Sequence, residues 1–186
     1  MVGVAIAGLV QLGVILGYQA VEARRAAVDL PFEAERLVAA PGPALELETF
    51  DGRTVRLADY RGQIVLVHFW ATWCGPCERE IPHLLAFARR HRADGVRLLA
   101  VSLDASWEVV RAFFKGSIPE EVVRGREGDE GTRYGVGTLP DTFVVRPDGE
   151  VAMRMVGARD WRARRAESIV LAEGERRAAK DDGSPP

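Results

Sequence analysis

The feature that most constrains the fold of this 186-residue chain is the junction "QIVLVHFWATWCGPC" (63–77), where a near-continuous apolar run leads into the chain's two cysteines, Cys74 and Cys77. Apolar side chains at successive positions need cover on both faces, which points to a strand inside a layered α/β sheet. From Gly75 onward Cys77, Ile81, Leu84, Leu85 and Ala88 recur at helical spacing, so an amphipathic helix opens on the cysteine motif. A second apolar run, "VRLLAVSLD" (96–104), and a helical pattern from Ser106 to Gly116 follow. The order strand, helix, strand, helix implies parallel pairing of the two strands.

The flanking segments extend this unit. "ALELETFDGRTVRLADYRG" (44–62) alternates around Asp51-Gly52 and reads as a leading hairpin. After a short strand at 121–124, "DTFVVRPDGEVAMRMVG" (141–157) forms two strands about a Pro-Asp-Gly turn, and 159–173 a closing helix. The domain is therefore assigned to 42–173, with 22–41 a linker ending in "APGP" and 174–186 a frayed tail. The first eighteen residues carry no charged side chain, which is about the length a helix needs to cross a bilayer. Residues 1–21 read as a transmembrane anchor or a signal segment. "VEA" (21–23) is an acceptable cleavage site, but a basic n-region is missing. The uncleaved anchor is the favoured reading and a cleaved secreted form the alternative. Arg24 and Arg25, directly after the apolar run, argue against export by the positive-inside rule.

A net charge of −2 gives no basic field that would collect nucleic acid. The cysteines are too few for a secreted disulfide framework. A zinc site needs about four ligands, and one CxxC with three scattered histidines supplies no second pair at metal spacing. A loop enclosing two residues gives little chain-entropy stabilisation as a clip. A CxxC between strand and helix reads instead as a redox couple that needs no other cofactor. Cys74 falls at the helix mouth, where unpaired N–H groups and the macrodipole favour a thiolate, and is the expected nucleophile. Cys77, one turn in and facing the core, is the expected resolving thiol. Pro76 sits in the first turn, where its missing N–H costs nothing, and stiffens the loop.

"FWATWCGPC" (69–77) and "GTLPDTFVVRPDGEV" (137–151) resemble the two signatures of the thioredoxin superfamily. More closely, most of 42–173 is similar to its membrane-anchored branch, the TlpA/ResA-type thiol–disulfide oxidoreductases. The resemblance implies a thioredoxin-like α/β fold, a central mixed sheet flanked by helices, with an N-terminal β-hairpin extension behind a membrane anchor. It makes Trp70 and Trp73 the aromatic flank of the site and Pro140 a cis-proline packed on the disulfide. Client backbone would dock against the preceding residue, so that Trp73, Gly75, Pro76, Leu139 and Pro140 form the substrate surface. Glu80 matches an acidic residue near the active site; by spacing alone it is an i+3 neighbour of Cys77 that can exchange a proton with the thiols, or an exposed helix charge like Glu78.

Two positions depart from the pattern. His68 stands where cytoplasmic thioredoxins carry a buried acid, and a packed strand histidine is the simpler reading. Leu139 replaces the commoner hydroxyl or β-branched residue. Pro82 should bend the helix, a kink the family shares. The expected function is reduction of disulfides in client proteins on the extracytoplasmic, periplasmic side of a membrane, with apocytochrome c as one client and a membrane electron donor for re-reduction. The alternatives are a peroxiredoxin-like peroxidase, for which Thr72 lies too close to Cys74, and a non-catalytic copper-binding or assembly module.

Overall fold

The computed structural model describes residues 32, 34–126 and 128–181; the segment 1–21 read as an anchor or signal lies outside them. Among the described residues no helix is long and apolar enough to cross a membrane.

Strand β4 (Ile64–Trp70) is buried at every position and organises one sheet. It runs parallel to β5 (Val96–Ser102), as the strand–helix–strand order requires, and antiparallel to β7 (Asp141–Val145). β6 (Val122–Gly125) continues the parallel side, and β8 (Glu150–Val156) the antiparallel side. The leading hairpin, β2 (Glu46–Thr49) and β3 (Thr54–Arg56), adds to β6, while β1 (Glu35–Pro41) pairs with β8. The order across the eight-stranded sheet is β1-β8-β7-β4-β5-β6-β2-β3. The helices are α1 (Gly75–Arg90), α2 (Trp107–Phe113), α3 (Glu130–Arg133) and α4 (Arg164–Asp181).

Side chains alternate across a strand, so β4 feeds two cores. Leu66 and Trp70 join Cys77, Ile81, Leu84, Phe87, Met155 and Trp161 on one face. Val67 and Phe69 join Leu47, Leu99, Val101, Tyr134 and Phe143 on the other. Burying each such large apolar side chain stabilises the fold by roughly 1.5–3 kcal/mol.

Two boundaries differ from the sequence reading. Residues 35–41 are a sheet strand rather than linker, and Phe32, before them, packs edge-on against Trp161 at 5.2 Å. Arg36 also reaches from β1 to the buried Glu173 carboxylate of α4 at 3.0 Å. The local pattern "ERLVAAP" alternates weakly; it becomes a strand because β8 offers an edge to pair with. The closing helix begins at Arg164 rather than at 159 and continues through Asp181 instead of ending in a tail at 174. At its front, the Asp160 carboxylate accepts the Arg162 backbone N–H at 3.0 Å, a local turn that competes with helix.

The first residue of β7, Asp141, has a fully buried carboxylate. Arg154 on β8 grips it, with Nε 3.1 Å and Nη2 2.6 Å from Oδ2, and Nη2 also donates to the Gly135 carbonyl at 2.9 Å. Removing one partner of such a pair strands a buried charge. Arg154→Met should therefore destabilise the chain by about 3 kcal/mol in urea unfolding. Arg92→Ala, which breaks an exposed and solvent-screened pair with Glu120, should leave the urea midpoint essentially unchanged.

Candidate active site

The chain leaves β4 in a loop held by the side chain of Asp104, just beyond β5. That carboxylate, 6% exposed, accepts the Thr72 N–H at 3.0 Å, the Thr72 hydroxyl at 2.7 Å and the Ser102 hydroxyl at 2.8 Å. The Leu103 N–H donates to the Trp70 carbonyl at 2.9 Å. So fixed, the loop sets Cys74 as the N-cap of α1 in extended conformation, with Pro76 in the first turn. The Cys74 sulfur accepts the Cys77 N–H at 3.3 Å, filling one of the unpaired donors of the helix start. Cys74 and Cys77 are joined as a disulfide with their Cα atoms 5.2 Å apart. Cys77 is wholly buried and Cys74 is 7% exposed, consistent with an outer and an inner sulfur.

An open groove of about 480 Å³ passes the outer sulfur. Trp73, Cys74, Gly75 and Pro76 line it on one side, and Leu103, Val136 and residues 137–139 on the other. The Leu139–Pro140 peptide is cis. The five residues expected to form a substrate surface thus lie together, with Pro140 directly beyond the groove-lining Leu139. Among the described residues no acidic or basic side chain borders the groove, and Trp73 stands 72% exposed at its rim. Trp70 differs from the expected aromatic flank: it is a core residue, packed on Phe113 and Phe114, with its indole N–H on the Ala100 carbonyl at 3.2 Å. Trp70 is still within β4, which is covered on both faces, whereas Trp73 lies in the turn beyond it.

Glu80 is buried, at 3% exposure, whereas Glu78 on the same helix is exposed. Its Oε1 accepts the Trp161 indole N–H at 2.5 Å and the Arg159 backbone N–H at 3.1 Å. Its Oε2 has no partner among the described residues. Burial pushes the Glu80 carboxyl up to about 7, against the pull of these donors and of the Arg159 charge. His68 is also fully buried, with Nδ1 2.8 Å from the Thr142 hydroxyl, and burial lowers it to about 3, so it stays neutral as a packed strand histidine. Pro82 lies inside α1. Among the described residues no three His, Cys, Asp or Glu side chains converge as a metal site.

Thr72, Asp104, Arg159 and Trp161 escape a reading of sequence alone. Trp161 carried the one usable signal, since a buried indole N–H requires an acceptor, but no local spacing names Glu80 as that acceptor.

The Glu80 carboxyl has an ordinary value of 4.5 and a folded value of about 7, so the native chain holds this proton the more tightly. Native stability should therefore fall through this group as pH rises from about 4.5 to 7, by up to about 3 kcal/mol. Compared with wild type by urea unfolding at each pH, Glu80→Gln should gain relative stability from pH 5 to pH 8. His68 titrates alike in both proteins and cancels.

The AhpC/TSA family model matches residues 38–154. A thiol-disulfide oxidoreductase ResA of Oceanobacillus iheyensis is 35% identical over 112 residues, covering 60% of this chain and 58% of that protein's length. Among solved structures, a Chlorobium tepidum chain assigned as a thiol:disulfide interchange protein DsbE superposes with a TM-score of 0.66 at 30% identity, over 75% of this chain and 98% of its own. StoA of Bacillus subtilis superposes with a TM-score of 0.55 at 28% identity, over 67% of this chain and 94% of its own. With its paired cysteines at a strand-to-helix junction and a model match running from β1 to β8, the chain belongs to the AhpC/TSA family of thioredoxin-fold proteins.

Proposed function

We propose that the protein is a thiol–disulfide oxidoreductase that reduces disulfides in client proteins. The observation that carries this reading is the Cys74–Cys77 pair at the mouth of α1, its outer sulfur bordering an uncharged groove that ends at a cis-proline. The names of the similar proteins, thiol-disulfide oxidoreductase and thiol:disulfide interchange protein, support it.

In the reduced form the Cys74 thiolate attacks one sulfur of a client disulfide, forming a mixed disulfide and releasing the other client sulfur as a thiolate. The Glu80 carboxylate takes the proton of Cys77. The resulting thiolate attacks Cys74, closing the disulfide seen here and expelling the second client sulfur. Two electrons pass to the client: a thiolate and a thiol of the protein become one disulfide, the Cys77 proton goes by way of Glu80 to one client sulfur, and the other client thiolate takes its proton from water. Trp73, Gly75, Pro76, Leu139 and Pro140 would hold the client's backbone in the groove. These steps call on no redox group beyond the Cys74–Cys77 pair. The CGPC sequence is that of thioredoxin, a strong reductant at about −270 mV against about −120 mV for DsbA, which favours reduction as the direction.

The extracytoplasmic setting belongs to this proposal, with residues 1–21 as anchor or signal, a membrane electron donor restoring the dithiol, and apocytochrome c as a candidate client. A peroxidase is disfavoured because the Thr72 hydroxyl is committed to Asp104.

The experiment is to express the full chain with Cys77→Ser in its host and identify proteins disulfide-linked to Cys74. The expected result is a covalent client adduct that dithiothreitol releases, absent from Cys74→Ser. Turnover of a model disulfide such as insulin should fall at least a hundredfold in either variant, because neither can close the cycle. Full insulin turnover by Cys77→Ser would sink the proposed two-cysteine mechanism.

A further inference from the structure

The Glu80 carboxylate is held from one side by a single short loop. Both of its N–H donors, the Trp161 indole and the Arg159 backbone, reach the same oxygen, Oε1, at 2.5 and 3.1 Å. The other oxygen, Oε2, is buried without a partner among the described residues. The loop is tied at its start: the Gly157 N–H donates to the Pro140 carbonyl at 2.8 Å. Arg159 braces it further, its Nη1 donating to the carbonyls of Gly157 and Ala158 at 3.1 and 3.0 Å. The Trp161 ring has no exposure and is wedged between Phe32 and Phe87, each 5.2 Å away between centroids. Its N–H therefore points one way, and Glu80 cannot adopt another rotamer without losing both donors.

We propose that Trp161 is a positioning residue for the exchange reaction: its indole N–H pins Glu80 through Oε1, so that the proton exchanged with Cys77 is carried on Oε2. The inference rests on the proton-transfer role proposed above for Glu80. An oxygen already accepting two N–H bonds is the poorer place for a proton, which assigns the acidic O–H to Oε2. Cys77 lies one turn earlier on α1, and both residues are on its buried face. The proton leaves the Cys77 sulfur, rests on Oε2 as the Cys77 thiolate attacks Cys74, and then passes to the departing client thiolate; the client's disulfide is the sole oxidant.

Among the described residues the titratable and charged groups around Glu80 are His83 and, once reduced, Cys77 on α1, Arg159 and Asp160 on the loop, and His68 on the same face of the sheet. Arg159 favours the ionised form of Glu80. His83 acts on Asp160, and burial keeps His68 uncharged. Of the side-chain contacts to Glu80, the Trp161 N–H is the one that substitution can remove while keeping the core filled.

Trp161→Phe keeps an aromatic ring between Phe32 and Phe87 and deletes the N–H. In the oxidised full chain, followed by the Glu80 carboxyl carbon resonance, its titration should move up by about one pH unit, because a donor to the ionised form is lost. In single turnovers of the reduced chain with insulin, release of the client's second thiol at pH 7 should slow about tenfold. In a Glu80→Gln background the same change should slow it no further. An unmoved Glu80 titration, or an equal slowing in the Glu80→Gln background, would overturn the proposal, since packing alone predicts both. Should the phenylalanine variant fail to fold, a benzothiophene isostere of tryptophan, placed at 161 only, removes the N–H with nearly unchanged shape and is judged by the same two outcomes. The two readings fail separately. Glu80→Gln with wild-type release removes the role of Glu80 itself, whereas slow release in Glu80→Gln with a silent Trp161 substitution removes only the positioning role.

Discussion

The site depends on the register of β4 against its two neighbours. Trp70 pairs with Ser102 on the parallel strand β5, and Phe69 pairs with Asp141 on the antiparallel strand β7. The C-terminal ends of β4 and β5 and the N-terminal end of β7 therefore meet at one edge of the sheet. The cysteine loop, the Leu103–Asp104 corner and the cis Leu139–Pro140 peptide all emerge there. A slip of one residue would exchange the two faces of β4, sending Trp70 and Leu66 to the side of Val67 and Phe69. With both faces filled by apolar side chains of different shape, that slip is strongly disfavoured, and the register that builds the core also builds the groove.

Two buried carboxylates flank the cysteine pair in different surroundings. Asp104 receives hydrogen bonds from Thr72 and Ser102 and holds the loop that presents Cys74. Among the described residues Glu80 finds donors at one oxygen only, and burial raises it to about 7. A carboxyl balanced near neutrality is suited to take up and return a proton, while a fully bonded one is suited to hold a shape. The same side-chain chemistry serves two purposes because the surrounding donors differ.

The parts legible in the sequence were those written in local periodicity and turn chemistry: the buried strand into CGPC, the amphipathic α1, the hairpins at Asp51-Gly52 and Pro147-Asp148-Gly149, and the parallel β4–β5 pair. Residues 35–41 were not legible as a strand, because their pairing with β8 supplies what weak alternation does not. Trp70 and Trp73, three positions apart in one motif, have opposite fates, one in the core and one at the groove rim. The strand ends between them, and spacing alone does not say where.

By itself the sequence determined the chemistry available: two thiols at a strand-to-helix junction, where helix-start N–H groups favour one of them as an anion, and an acid one turn further on. Tertiary structure decided how that chemistry is placed. The loop at 157–161, far along the chain, supplies the donors that hold Glu80, and the return of β7 brings Leu139 and Pro140 to Cys74. Both depend on contacts between residues more than sixty positions apart. Periodicity reports which side of an element is buried, and only packing reports what it is buried against.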